Sequence, residues 1–138
     1  MLFGRDDRLR VVLPDEPLYP GFTRVIWNNH VAEMSDLDRS DRAHLLEVLM
    51  AVECAQREAL APDKINLASL GNMVAHLHWH LIARWRDDSH FPASVWGPVA
   101  GRDPSLAQNR IVDAQARLPA YRVALERRLR DCGLTDFS

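Results

Sequence analysis

The stretch His76-Leu77-His78-Trp79-His80-Leu81-Ile82 alternates imidazoles with large apolar side chains. Successive side chains of a β-strand point to opposite faces. Read as a strand, the stretch sets all three imidazoles on one face. Leu77, Trp79 and Leu81 go to the other, where they can enter a core. Read as a helix, the same residues scatter around the circumference and form no cluster. Twice the strand rise spaces the imidazoles about 6–7 Å apart. Half of the chain's six histidines stand in these five positions. The segment therefore calls for a sheet with one apolar face and one face that carries chemistry.

Two chemistries suit such a face. Histidines at i and i+2 of a strand can share a zinc ion. Alternatively, a neutral imidazole attacks phosphorus while its neighbours hold the phosphate oxygens. A merely solvated face would more often carry Thr, Lys or Glu. The histidines alone leave the choice between metal and phosphorus open.

The flanking residues narrow it. The motif resembles the His-x-His-x-His signature, with x apolar, of the histidine-triad (HIT) superfamily of nucleotide-binding proteins. Asn66, then Gly71-Asn72-Met73-Val74, the three histidines and Ala83-Arg84 follow one another in the family's order. Asn29-His30-Val31 resembles the short segment that carries a fourth active-site histidine. The likeness runs from roughly Leu9 to Gly101. It looks closest to bacterial HIT proteins of unassigned substrate, many of which have Gln where this chain has His76.

The resemblance implies an α+β fold: a five-stranded antiparallel sheet, one long helix and a shorter C-terminal helix, assembled as a homodimer. It implies a hydrolase or transferase acting at the α-phosphate of a nucleoside 5′-phosphate derivative, a purine nucleotide-type small molecule. His78 would attack phosphorus and form a nucleotidyl-histidine intermediate that water resolves. His76 and His30 would orient groups or relay protons, and His80 would stand by the phosphate oxygens or the leaving group. Asn66, Gly71 and Asn72 would meet the ribose-phosphate. Arg84 shares the histidines' parity, so it is either a phosphate contact or a solvated strand end. The scheme needs neither metal nor cofactor. One departure stands out. Met73 occupies a place where many phosphoramidate hydrolases of the family have Ser, and Met cannot donate a hydrogen bond. The leaving group therefore stays open. Two other readings remain: a non-catalytic nucleotide-binding regulatory dimer, and a zinc hydrolase using two of the clustered histidines with His30 or His90.

Length and charge set the bounds. The 138 residues fit one domain, with the motif-bearing core over about 9–101. Seventeen basic against nineteen acidic residues give no basic excess for a nucleic-acid backbone. No membrane-spanning run and no signal-peptide core is visible, so a cytoplasmic protein is expected. Cys54 and Cys132 have no metal or disulfide spacing.

The remaining elements follow from pattern. Leu9–Leu13 and Phe22–Trp27 read as strands. Asp38 caps a helix to about Leu60, with Ala43, Leu46, Met50 and Cys54 recurring at about fours and Leu45, Leu49 and Val52 beside them. His44, one residue off that stripe, reads as a helix-surface histidine. Ile65–Ala68 reads as a strand, and Met73–Ala83 as the longest one. Asp87-Asp88 reads as solvated or capping. Phe91-Pro92 and Trp96 are candidate aromatic neighbours of the pocket or plain packing. Asp103-Pro104-Ser105 reads as a turn, with a C-terminal helix over about 119–132 stopped by Gly133.

Overall fold

In a computed structural model, which describes residues 1–137, the strands are β1 (Leu2–Arg5), β2 (Leu9–Val12), β3 (Thr23–Trp27), β4 (Lys64–Ala68), β5 (His78–Arg84) and β6 (Asp136–Phe137). They form one sheet in the order β4-β5-β3-β2-β1-β6, and every neighbouring pair is antiparallel. The helices are α1 (Arg39–Leu60) and α2 (Pro104–Asp131). The fold is α+β, as expected, but the sheet has six strands and not five. β1 and the two-residue β6 extend it, and β1 lies ahead of the first strand that the sequence suggested.

Alternation decides which way each strand faces. Leu9, Val11, Val25, Trp27, Leu81 and Ala83 are buried and join one core with Leu45, Val48, Leu49, Val52 and Ala55 of α1 and Tyr121, Leu125 and Leu129 of α2. Arg10, Arg24, Ile26, His78 and His80 lie on the other face. On α1 the two adjacent stripes separate. Leu45, Leu49 and Val52 go inside, whereas Leu46 and Met50 are 47% and 44% exposed.

Two expected boundaries move. The C-terminal helix begins fifteen residues earlier, at Pro104. Asp103 accepts a hydrogen bond from the Ser105 amide at 2.9 Å and Pro104 takes the first turn, where a missing N–H costs nothing. Pro119 lies inside the helix, on its exposed side. The buried stripe Ile111, Ala114, Tyr121, Leu125 and Leu129 continues past it. That burial outweighs the one helical hydrogen bond lost, since water can serve the freed carbonyl. Gly133, with φ +91°, ends the helix as expected.

The triad strand starts later than expected, at His78. Residues 69–77 form a loop, exposed over residues 72–75. Leu77 is tied on both sides, its amide donating to the Val31 carbonyl at 2.8 Å and its carbonyl accepting from the Trp27 amide at 3.1 Å. No helix among the described residues is long and apolar enough to cross a membrane.

Candidate functional site

The open face carries a cleft of about 800 Å³ across β5, β3 and β2, roofed by the β4–β5 loop. His76, His78 and His80 all line it, together with Arg10, Arg24, Ile26, Asn28, Trp96 and residues 70–74. His76 precedes the strand but still faces the cleft, held by the backbone bonds of its neighbour Leu77 to Val31 and Trp27 and by its own side-chain bond to the Trp27 carbonyl.

The main chain fixes the imidazole tautomers. His78 Nδ1 is 2.6 Å from the carbonyl of His76. A carbonyl only accepts, so Nδ1 carries the proton, and in the neutral ring Nε2 keeps its lone pair. His76 Nε2 donates in the same way to the Trp27 carbonyl at 2.6 Å. Its Nδ1 then meets His30 Nδ1 at 3.0 Å, the two rings stacked with centroids 5.3 Å apart. His30 thus joins the cluster at its outer edge, through His76.

His80 is the most enclosed of the three. Phe22 and Trp96 stand edge-on to its ring at 5.6 and 5.2 Å, and His78 at 4.9 Å. Burial, then the neighbouring His78 and Arg24, pushes its pKa down to about 4. It is therefore neutral near pH 7. Arg24 Nε donates a long 3.4 Å contact to its Nδ1, which leaves the proton on Nε2.

The phosphate-side candidates divide. Gly71, at φ +80°, turns the loop in a conformation that side chains rarely adopt, and Asn72 is exposed beside it. Both line the cleft. Met73 is 99% exposed at the same rim. Arg84 keeps the histidines' parity but is only 2% exposed, so it is not a solvated strand end. Its fork pairs with Asp88 at 2.8 and 3.1 Å and also donates to Asn66 Oδ1 and the Ala93 carbonyl, each at 2.8 Å. Asn66 is thereby oriented by Arg84, its Oδ1 occupied.

Asp88 is likewise buried, against the expectation of a solvated acid. Burial alone would raise its carboxyl, but Arg84 and the amides of His90, Trp85 and Phe91 hold it below the usual range. His90 is 2.5 Å from the Tyr19 hydroxyl, whose ionisation is pushed up by burial and by Asp88. Phe91 packs on the Arg84 guanidinium, while Trp96 lines the cleft. His44 is not a free surface residue either, since its Nε2 lies 2.7 Å from Asp6 Oδ2 with both side chains about nine-tenths covered. Among the described residues no three His, Cys, Asp or Glu side chains converge as a metal cage.

Sequence reasoning passed over Arg10, Arg24, Ile26 and Asn28. Period-two alternation in β2, in β3 and into the residue after it sets them opposite the core residues, which was readable. Their place beside the histidines depends on the β3–β5 register, which was not.

A six-stranded antiparallel sheet with two histidines at the start of β5, a third just before it and a loop over them defines a class, and the comparisons agree with it. The HIT domain model matches residues 1–87, well over half of the chain. The chain belongs to the HIT family. A histidine triad protein of Bradyrhizobium japonicum is similar over 86% of this chain and 90% of its own, at 30% identity and a TM-score of 0.66. One from Marinobacter aquaeolei VT8 is similar over 86% and 88%, at 26% identity and a TM-score of 0.66. A hypothetical histidine triad nucleotide-binding protein of Sulfolobus tokodaii shares the fold over 96% and 89%, at 21% identity and a TM-score of 0.61. No curated protein matches the sequence.

Proposed function

We propose that the chain cleaves nucleoside 5′-phosphate derivatives at the α-phosphorus through a covalent intermediate on His78. The observation that carries this reading is the 2.6 Å bond from His78 Nδ1 to the His76 carbonyl. In the neutral ring it sets the proton on Nδ1 and leaves the Nε2 lone pair free to attack. In the first step the Nε2–P bond forms and the bond to the leaving group breaks. The electron pair departs with the leaving group, which takes a proton from solvent. The imidazole becomes cationic, so the Nδ1–H bond to the carbonyl strengthens as the bond to phosphorus forms. A contact that grows toward the transition state lowers the barrier. In the second step a water oxygen displaces Nε2, the pair returns to nitrogen and the water proton leaves to solvent.

The other residues support this step. Neutral His80 offers Nε2–H to the phosphate oxygens or to the departing atom without adding a full charge. His76, clamped to Trp27 and His30, holds the carbonyl on which the His78 tautomer depends. Gly71 and Asn72 supply donors for the ribose-phosphate from the loop. Arg84 acts through Asn66 rather than on phosphate itself. The chemistry draws on protein groups alone. The chain pairs with a second copy, for which the exposed Leu46 and Met50 of α1 and the edge strand β4 provide a surface.

The test is AMP release from adenosine 5′-phosphoramidate and from diadenosine tetraphosphate, with and without chelator. Chelator-resistant release that disappears in His78→Ala supports the reading. Chelator-sensitive release, or tight AMP binding in both proteins with no turnover, overturns it.

A further inference from the structure

The part of the cleft over β2 and β3 takes no part in the attack at His78, yet it holds both arginines that line the cleft. Cross-strand pairing lays out two rows. One runs Arg10, Ile26, His78, and the other Val12, Arg24, His80. Strands lie about 4.8 Å apart, so Arg10 is rooted about 10 Å from His78 and Arg24 directly beside His80. Thirteen residues line the cleft and none is Asp or Glu. In a chain with more acidic than basic residues, that exclusion sets up a local positive field which the net charge does not reveal.

The arginines are incompletely satisfied. Arg10 makes no ion pair among the described residues, and the one hydrogen bond of its side chain there is from Nη1 to Asn28 Oδ1, at 3.1 Å. Most of its five donors are free. Arg24 gives Nε to His80, and its Nη2 stands 3.6 Å from Glu16 Oε1, both side chains more than a third exposed. A free, planar guanidinium fork in an acid-free cleft is matched by a phosphate, which accepts two parallel hydrogen bonds from it. The opposite rim, formed by the β4–β5 loop, is apolar: Leu70, Met73 and Val74 are each more than half exposed. The histidines therefore stand between an anion-binding end and an apolar end.

We propose that Arg10, with Arg24, binds a second phosphate group of the substrate, one or two phosphate units from the phosphorus that His78 attacks. The inference rests on the reading of His78 as the point of attack. It makes Arg10 a specificity-determining residue. The substrates favoured are those in which the α-phosphate is linked to further phosphate, over those with a neutral amine as leaving group. The apolar rim takes a planar or otherwise apolar group at the other end.

The test compares wild type, Arg10→Gln and Arg10→Lys on diadenosine tetraphosphate and adenosine 5′-phosphoramidate, reading the ratio of the two kcat/KM values. Arg10→Gln is expected to lower that ratio roughly 10- to 100-fold, the effect of a lost charge-assisted contact, and Arg10→Lys to restore part of it. A ratio within about threefold of wild type in Arg10→Gln overturns the proposal. A binding arm separates this from the reaction itself. His78→Ala, with and without Arg10→Gln, is titrated with AMP and with ATP. Tighter binding of ATP that depends on Arg10 upholds the phosphate site even if the wild type turns over neither substrate, in which case only the reaction falls. Equal affinity for AMP and ATP overturns the site.

Discussion

The surroundings of His80 hold its imidazole neutral, and stability should record this. An unfolded histidine takes a proton near pH 6.5, whereas folded His80 does so at about 4. Between those values the unfolded chain binds the extra proton. The contribution of His80 is therefore complete above pH 6.5 and is lost as pH falls toward 4. Denaturant midpoints measured from pH 7.5 to 4.5 are expected to fall less in His80→Gln than in wild type, and parallel curves would contradict the burial argument. Arg84 makes a second prediction. Its replacement by Ala leaves Asp88 charged and buried without a guanidinium, a loss on the order of 3–5 kcal/mol in urea melts. A loss below about 1 kcal/mol would mean that the pair is solvated. Parity placed Arg84 on the histidine face from sequence alone. Its burial was not legible, because that depends on residues 85–93 folding back so that Asp88, Tyr19 and Phe91 surround it. The tautomer of His78 was equally out of reach, since it is set by a backbone carbonyl.

Helix α1 shows how far periodicity goes at the scale of an element. Its existence, its Asp38 cap and its end near Leu60 were legible, and Asp38 does accept from the Asp41 amide at 2.8 Å. Which of two adjacent apolar stripes enters the core was not, since both satisfy a helical repeat. The sheet takes Leu45, Val48, Leu49 and Val52 and leaves Leu46 and Met50 outside. If these two serve a subunit contact, Leu46→Glu with Met50→Glu should convert a dimer into a folded monomer in sedimentation equilibrium. A wild type that sediments as a monomer would contradict the contact. In α2 the same limit appears as a boundary error, because Pro119 reads locally as a start. Only the tertiary stripe from Ile111 to Leu129 shows that the helix runs through it. The strand β5 was shortened for the opposite reason. Alternation continues through His76, but no partner strand extends that far.

For the whole molecule, the core joins Phe3 near one end to Leu134 near the other. Residues 1–138 should therefore unfold in one cooperative transition, and a chain ending at Gly101 should lose the near-ultraviolet signal of its buried tryptophans. A truncated chain that melts cooperatively would show that α2 is dispensable to the core. The cleft itself was half legible. The histidines and the loop with Gly71 and Asn72 announce themselves in sequence, while Arg10 and Arg24 enter only through strand register across β2, β3 and β5. The chemistry at the centre of that cleft is most directly tested by trapping its intermediate. Enzyme mixed with adenosine substrate labelled in the α-phosphate is quenched in alkali within the first turnover. Label should remain bound to the protein, be released by acid as a phosphorus–nitrogen bond is, map to the peptide bearing His78, and be absent in His78→Ala. Turnover that proceeds without protein-bound label and persists in His78→Ala would contradict nucleophilic attack by His78.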